Sequence, residues 1–319
     1  MKNDETPILG HFRGFFEHLD VEKGLSVRSQ QTYARFLGVF SRWLDQNGLQ
    51  DLKPHELDDA HVRKYRLFLS QTISRNKKEP LKKSTQGYYL IALRALLAYF
   101  AERDITSLPS DKVKLVKKAG ERSLKVLTLD QVEKLVTAPD VSKVIGLRDR
   151  AILESLFSTG TRIAELVSLD REQLRIMSST QDIEISIVGK GSHIRTVYFS
   201  SRAVEALRCY LETRHDREKA LFINYRGVKH NPGGRLTARS IENMVKRYCM
   251  LTGCPMSTTP HVFRHSFATD LLNKGVDIRV VQEFLGHRNI ATTQVYTHVT
   301  SKRLRDIHRR YHGGPEMGK

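Results

Sequence analysis

Apolar residues recur every three or four positions through the first hundred residues, and that spacing dictates helices that each bury one face. Phe12, Phe15, Phe16 and Leu19 follow it within HFRGFFEHLDVEKG until Gly24 stops the run. Ser26 stands where it can cap a second helix, whose Tyr33, Phe36, Leu37, Phe40, Trp43 and Leu44 share one face up to Asn47 and Gly48. A third helix runs through HVRKYRLFLSQTI, and a fourth starts at Ser84 and carries Tyr88, Ile91, Leu96 and Phe100. Because the aromatics fall on these stripes, they read as core rather than as platforms for nucleobases. The pattern predicts a small helical bundle.

Further on the period changes. Thr128 opens a capped helix, TLDQVEKLV, and a longer helix follows from about Gly146 through Phe157. Two β-branched runs, DIEISIVG and IRTVYFS, flank Gly-Lys-Gly-Ser-His and predict a β-hairpin. ALFINY reads as a further short strand, and from Thr237 onward the pattern is mainly helical. A chain of 319 residues is too long for one small core. The expected class is mainly α with a small β-sheet (α+β): a helical bundle over 1–110, a linker over 111–124, a mixed domain over 125–300, and a C-terminal helix and tail over 301–319.

Charge narrows the partners. The net charge of +18 favours a polyanion, and nucleic acid is the commonest. A membrane surface is the rival, yet the sequence carries neither an amphipathic basic helix nor a lipidation signal. No apolar run has the length of a membrane span, and MKNDETPILGHF lacks the features of a secretory signal, so a cytoplasmic protein is expected. From Arg75 to Lys125 there are 13 Lys and Arg against five acidic residues. The end of this stretch, SDKVKLVKKAGERS, reads either as a basic hinge between two DNA-gripping domains or as solvated surface. Cys209, Cys249 and Cys254 form no CxxC pair, so they read as reduced structural thiols.

The densest chemistry lies near the C-terminus. Pro260 suits the first turn of a helix in which His261 and Arg264 project from one face, and Gly275 ends it. A second helix, IRVVQEFL, closes at Gly286 and delivers His287; a short loop then leads to Tyr296. The planar fork of Arg264 matches two oxygens of a phosphate, and the histidines can donate to the same group or move protons. A tyrosine hydroxyl beside such cations can attack phosphorus. His261 and His265 copy the spacing of a zinc helix, but the pattern lacks the glutamate of HExxH and Arg264 stands between them, so no metal is expected. Arg162 lies just past a helix ending near Gly160, with Glu165 on the next turn. Lys190 sits at the hairpin tip between glycines, where a primary amine can protonate a departing alkoxide.

The ordered series TGTRIAEL, GKG, HVFRH, LGH and a Tyr nine residues after the last His resembles the tyrosine recombinase (phage integrase) family, most closely its Xer branch through LGHRNIATTQVYTHV. The resemblance covers about Lys125 to Val299, and more weakly the N-terminal bundle, which is similar to the family's core-DNA-binding domain. It implies that Arg162 and Arg264 clamp the phosphate, His261 does acid–base work and His287 is a further phosphate donor. Lys190 would be the general acid, Tyr296 the nucleophile, and Glu165 an acidic residue that orients its neighbours. Thr161, His193 and Tyr198 stand where many relatives carry Leu, Lys and Pro, which leaves the chemistry intact and the branch open.

The resemblance further implies a double-stranded DNA partner bearing a specific recombination site and no metal or nucleotide cofactor. It implies a homotetramer on two DNA sites, and a C-terminal segment that packs on the neighbouring protomer or contacts DNA. A partner recombinase or activator is compatible with it. Two rivals remain beside this reading. A DNA-binding protein without chemistry would be indifferent to loss of Tyr296, and a type IB topoisomerase would relax supercoils without synapsis. A metal-dependent nuclease lacks a suitable carboxylate cluster.

Overall fold

The computed structural model describes residues 2–74, 78–115, 124–174, 176, 180, 183–189, 194–225 and 234–286. Two compact units divide the chain, Met1–Glu121 and Arg122–Lys319. Each has its own hydrophobic core.

The first unit is built from α1 (Phe12–Val21), α2 (Val27–Gln46), α3 (Asp59–Gln71) and α4 (Lys83–Glu102). Most of the striped residues are buried: Phe15 and Leu19 from α1, Leu37, Phe40, Trp43 and Leu44 from α2, Leu96 and Phe100 from α4. Tyr88 and Ile91, expected on the same stripe of α4, are instead exposed, and Leu90, Leu93 and Leu97 fill the core in their place. Tyr65 of α3 packs edge-on to Phe40, ring centroids 5.0 Å apart. Ser26 does precede α2, but its hydroxyl pairs with the Ser29 hydroxyl at 3.1 Å and caps no backbone N–H. Asp58 is a working cap, accepting from the His61 amide at 2.8 Å. Val113 is fully buried in this core, so the basic stretch after α4 begins with a residue that packs.

The second unit contains α5 (Leu129–Thr137), α6 (Val144–Thr159), α7 (Ile163–Ser168), β1 (Ile183–Val188), β2 (Ile194–Phe199), α8 (Ser201–Glu212), α9 (Ala238–Thr252), α10 (Pro260–Asn273) and α11 (Ile278–Leu285). Thr128 and Gln131 cap α5 reciprocally, Gln131 N–H to Thr128 Oγ1 at 3.3 Å and Thr128 N–H to Gln131 Oε1 at 3.1 Å. α6 lies against α5, α8 and α10 and buries Ala151, Ile152, Leu153 and Leu156. β1 and β2 pair antiparallel, with Ile183, Ile185 and Ile187 opposite Phe199, Val197 and Arg195. Alternation puts these pairs on the inner face of the hairpin.

One expectation fails in this unit. ALFINY is not a strand: it makes single bridges, Ala220 with Asp170 and Ile223 with Arg235. Arginine side chains have taken its carbonyls. Arg214 Nη1 donates to Ala220 O and Leu221 O at 3.0 and 2.9 Å, and Arg148 Nη1 to Ile223 O at 2.9 Å. The segment's backbone bonds are split between two partners, Leu221 N–H donating to Leu169 O at 2.9 Å and Leu236 N–H to Phe222 O at 2.8 Å, and no ladder extends along it. The molecule is mainly α with a small sheet, and among the described residues no helix is long and apolar enough to cross a membrane.

Candidate active site

The site begins where α6 must stop. Gly160 has a φ of +56°, and a Cβ there would lie 2.4 Å from the Phe267 ring, so both conformation and space require glycine. The chain leaves α6 extended, with Thr161 buried, and Arg162 becomes the residue preceding α7. Its amide donates to Glu165 Oε2 at 2.8 Å, and its Nη1 to Glu165 Oε1 at 2.9 Å. Glu165 thus fixes both ends of Arg162, whose side chain stays 28% exposed.

From the opposite side α10 supplies Arg264 and, one turn earlier, His261. Arg264 is buried, and its fork spans two chain segments: Nη1 donates to Gly160 O at 2.6 Å and Nη2 to Leu285 O at 2.5 Å. The first carbonyl ends α6, two residues before Arg162. The second ends α11, two residues before His287. Two of the five N–H groups of the guanidinium are thereby committed to holding the site together.

His261 lies at the surface, yet packing around its ring lowers its pKa, and the charges of Arg264 and Arg162 lower it further against an opposing Glu242. The imidazole is therefore biased toward its neutral form, a proton acceptor beside two fixed cations. His265, one turn along, is held down to about 4 by burial, then by His261 and Arg264. Glu165 behaves oppositely. Burial alone would raise its pKa, but hydrogen bonds from Arg195 and the Arg162 amide, with the charge of Arg195, outweigh burial and hold it at about 2.

Arg195 is a residue that sequence reasoning missed. It reaches from β2 to make a bidentate pair with Glu165, Nη1 to Oε1 at 3.0 Å and Nη2 to Oε2 at 2.8 Å, and its Nε donates to Phe284 O at 3.2 Å. The signal was present: in IRTVYFS, Arg195 shares the inward register with Val197 and Phe199, where an arginine needs a buried acid.

Of the six expected site residues, the fold brings together Arg162, His261 and Arg264. Lys190, His287 and Tyr296 lie outside the described residues. Two described elements that neighbour them in sequence are tied into the site: β2, after Lys190, through Arg195 to Glu165, and α11, before His287, through Leu285 O to Arg264.

Sequence comparison accords with this geometry. The profile of the Phage integrase family matches residues 125–303, and that of the phage integrase N-terminal SAM-like domain matches residues 12–104. Tyrosine recombinase XerC of Pelotomaculum thermopropionicum is 36% identical over 317 residues, 95% of this chain and 97% of that protein. Tyrosine recombinase XerD of Listeria monocytogenes serotype 4b is 34% identical over 93% of this chain and 97% of that protein. The crystal structure of XerH site-specific recombinase, in a post-cleavage complex with palindromic difH substrate, shares the fold with a TM-score of 0.71 at 22% identity, over 97% of this chain and 91% of that one. The chain belongs to the phage integrase family of tyrosine recombinases.

Proposed function

We propose that this protein is a site-specific recombinase that cuts and rejoins double-stranded DNA through a covalent link to Tyr296. The observation that carries this reading is the Arg264 fork. It ties the end of α6, which leads to Arg162, to the end of α11, which leads to His287. Around it stand Arg162, preceding α7, and His261 of α10, whose pKa is lowered by burial and by both arginines; two guanidinium groups and an imidazole suit the charge of a phosphate in the transition state.

In this mechanism the Tyr296 oxygen attacks the scissile phosphorus, with His261 accepting the phenolic proton. Arg162, Arg264 and His287 neutralise charge on the non-bridging oxygens. The bond from phosphorus to the 5′ oxygen breaks, and Lys190 gives that oxygen its proton. A 3′-phosphotyrosyl link and a free 5′-hydroxyl result. Attack by a 5′-hydroxyl from a partner duplex reverses the chemistry on a new strand, so no external energy source is needed. The relatives named for this activity, and the XerH complex with its DNA substrate, support the reading. We further propose that four copies act on two DNA sites in the cytoplasm, through a Holliday junction, with residues 301–319 as a helix and tail packing on a neighbouring copy. The sequence of the captured DNA identifies the site as chromosomal or as part of a mobile element.

Covalent capture tests the proposal. Full-length protein is incubated with fragmented DNA from its source cell and denatured, and attached DNA is sequenced. Wild type should give adducts at one recurrent sequence, and Tyr296→Phe none, with DNA binding retained. Binding without adducts in both would favour a non-catalytic DNA-binding protein; supercoil relaxation without synapsis would favour a type IB topoisomerase.

A further inference from the structure

We infer that Arg195 is a positioning residue for strand cleavage: it locks the Lys190 hairpin to Glu165, and through Glu165 to Arg162, while holding the end of α11 that leads to His287. The inference rests on the recombinase reading above and adds to it a residue whose guanidinium is spent on protein groups, the Glu165 carboxylate and Phe284 O.

Four observations converge on it. Arg195 is the inward-facing residue of β2 nearest the hairpin tip, opposite Ile187, and five residues beyond Lys190. Its side chain is 9% exposed and that of Glu165 6%. Its bidentate grip occupies both carboxylate oxygens, each of which also accepts from Arg162. Finally, a Cβ on Gly286 would lie 2.7 Å from Arg195 Cδ, so the chain passes against this side chain just before His287.

Each contact has a mechanical consequence. A β-hairpin delivers a lysine from its connecting residues reproducibly only if its base is fixed. The base is fixed here by a planar fork, which fixes direction as well as distance, and lysine cannot reproduce that geometry. Glu165 is the shared element. Without Arg195 the carboxylate would keep its burial and lose its main counter-charge, so its pKa would rise and its hold on Arg162 would weaken at acidic pH. Arg195 and Arg162 are the residues that hydrogen-bond this carboxylate among the described residues; α6 and α9, which pack against α7, add no such bond.

The test compares Arg195→Met and Arg195→Lys with wild type in full-length protein, on the DNA recovered by covalent capture. The readouts are single-turnover cleavage rate, DNA affinity and thermal unfolding. Arg214→Met serves as a control for loss of a buried arginine elsewhere in the unit, since Arg214 braces residues 216–221. Arg195→Met should cut cleavage on the order of 100-fold, the size of effect that a displacement of about 1 Å can produce, with affinity nearly unchanged. Arg195→Lys should recover only part of the rate. In Arg195→Met the acid limb of the rate profile should move to higher pH, and Glu165→Gln should add little further loss, because both changes break one link. Arg214→Met should lower the unfolding temperature without slowing cleavage. Wild-type cleavage and an unmoved pH profile in Arg195→Met would overturn the inference while leaving the recombinase intact. Absence of adducts from wild type would overturn the recombinase reading, and this inference with it.

Discussion

The two units of this chain bury different chemistry. Among the described residues, the first buries one polar or charged side chain, His18, while the second buries twelve, Arg148, Asp149, Glu154, Glu165, Arg214 and Arg264 among them. Even His18 sits beside carboxylates at the rim, with Nδ1 3.0 Å from Glu22 and Nε2 3.4 Å from Glu102, both half-exposed. The first unit is held by apolar area on helical stripes. In the second, fully enclosed Asp149 receives Arg148 at 2.6 Å, Arg247 at 2.7 Å and the Tyr248 hydroxyl at 2.9 Å. Buried ion pairs add little net stability compared with apolar residues of the same volume. What they add here is fixed geometry, and the comparison teaches that the second unit is built to hold charge in place.

The sharpest way to break that comparison is Arg264→Met. It should slow cleavage by at least about 100-fold, as loss of an oxyanion donor does. It should also destabilise the second unit, since Gly160 O and Leu285 O lose their donor at about 1–3 kcal/mol per buried group. Cleavage within a few-fold of wild type, measured by covalent adduct formation, would remove Arg264 from the site. The counterpart in the first unit is Leu93→Ala, at a fully buried position, expected to cost about 2–5 kcal/mol. Trp43, the single tryptophan of the chain, lies in that core, so its fluorescence on denaturation reads the loss directly. An unshifted fluorescence transition would mean that the stripes are not what holds the bundle.

Acid should separate the units as well. Glu165 has a folded pKa of about 2 against an ordinary 4.5, so it stabilises the fold fully above pH 4.5 and loses that contribution as pH falls toward 2. The difference of about 2.5 pKa units corresponds to at most about 3 to 4 kcal/mol at roughly 1.4 kcal/mol per unit. Stability curves of wild type and Glu165→Gln, monitored through second-unit amides, should therefore converge as pH drops from 5 to about 2. Curves that stay parallel would contradict the role given to Arg195 and Arg162 in holding this carboxylate.

The same contrast explains what was legible in the sequence. Every stripe of the first unit became a helix, because period and burial largely coincide there, while Tyr88 and Ile91 show that a residue of the right type in a helix can still face outward. In the second unit α10 and α11 were equally plain, and Arg162, His261 and Arg264 could be singled out because they are polar residues in helical register near glycine stops. ALFINY misled because an unbroken apolar run shows burial but not who takes its carbonyls, and Arg214 and Arg148 lie outside it in sequence. α8 went unread although Ala203, Val204, Leu207 and Tyr210 give it a buried face, since it follows the hairpin after a single residue. Arg195 was hidden for a related reason: its partner stands 30 positions away, and only the strand register turns it inward.

The smallest expected effect compares two helix starts of similar chemistry, one in each unit. Thr128 and Ser26 are both hydroxyl residues at the position preceding a helix, and in sequence both qualify as caps. Their surroundings differ three residues on. Gln131 Oε1 accepts from the Thr128 amide while its own backbone amide donates to the Thr128 hydroxyl, which fixes that hydroxyl over the first turn of α5. Ser29 offers α2 only another short hydroxyl, and the two hydroxyls satisfy each other instead of the backbone. Thr128→Ala should therefore cost about 1 kcal/mol, the typical loss of a working cap. Ser26→Ala should cost no more than a few tenths, the scale of an exposed substitution that removes no cap. Denaturation midpoints of the two variants decide it: equal losses would mean that Ser26 caps α2 in solution and that the hydroxyl pair is not its resting arrangement.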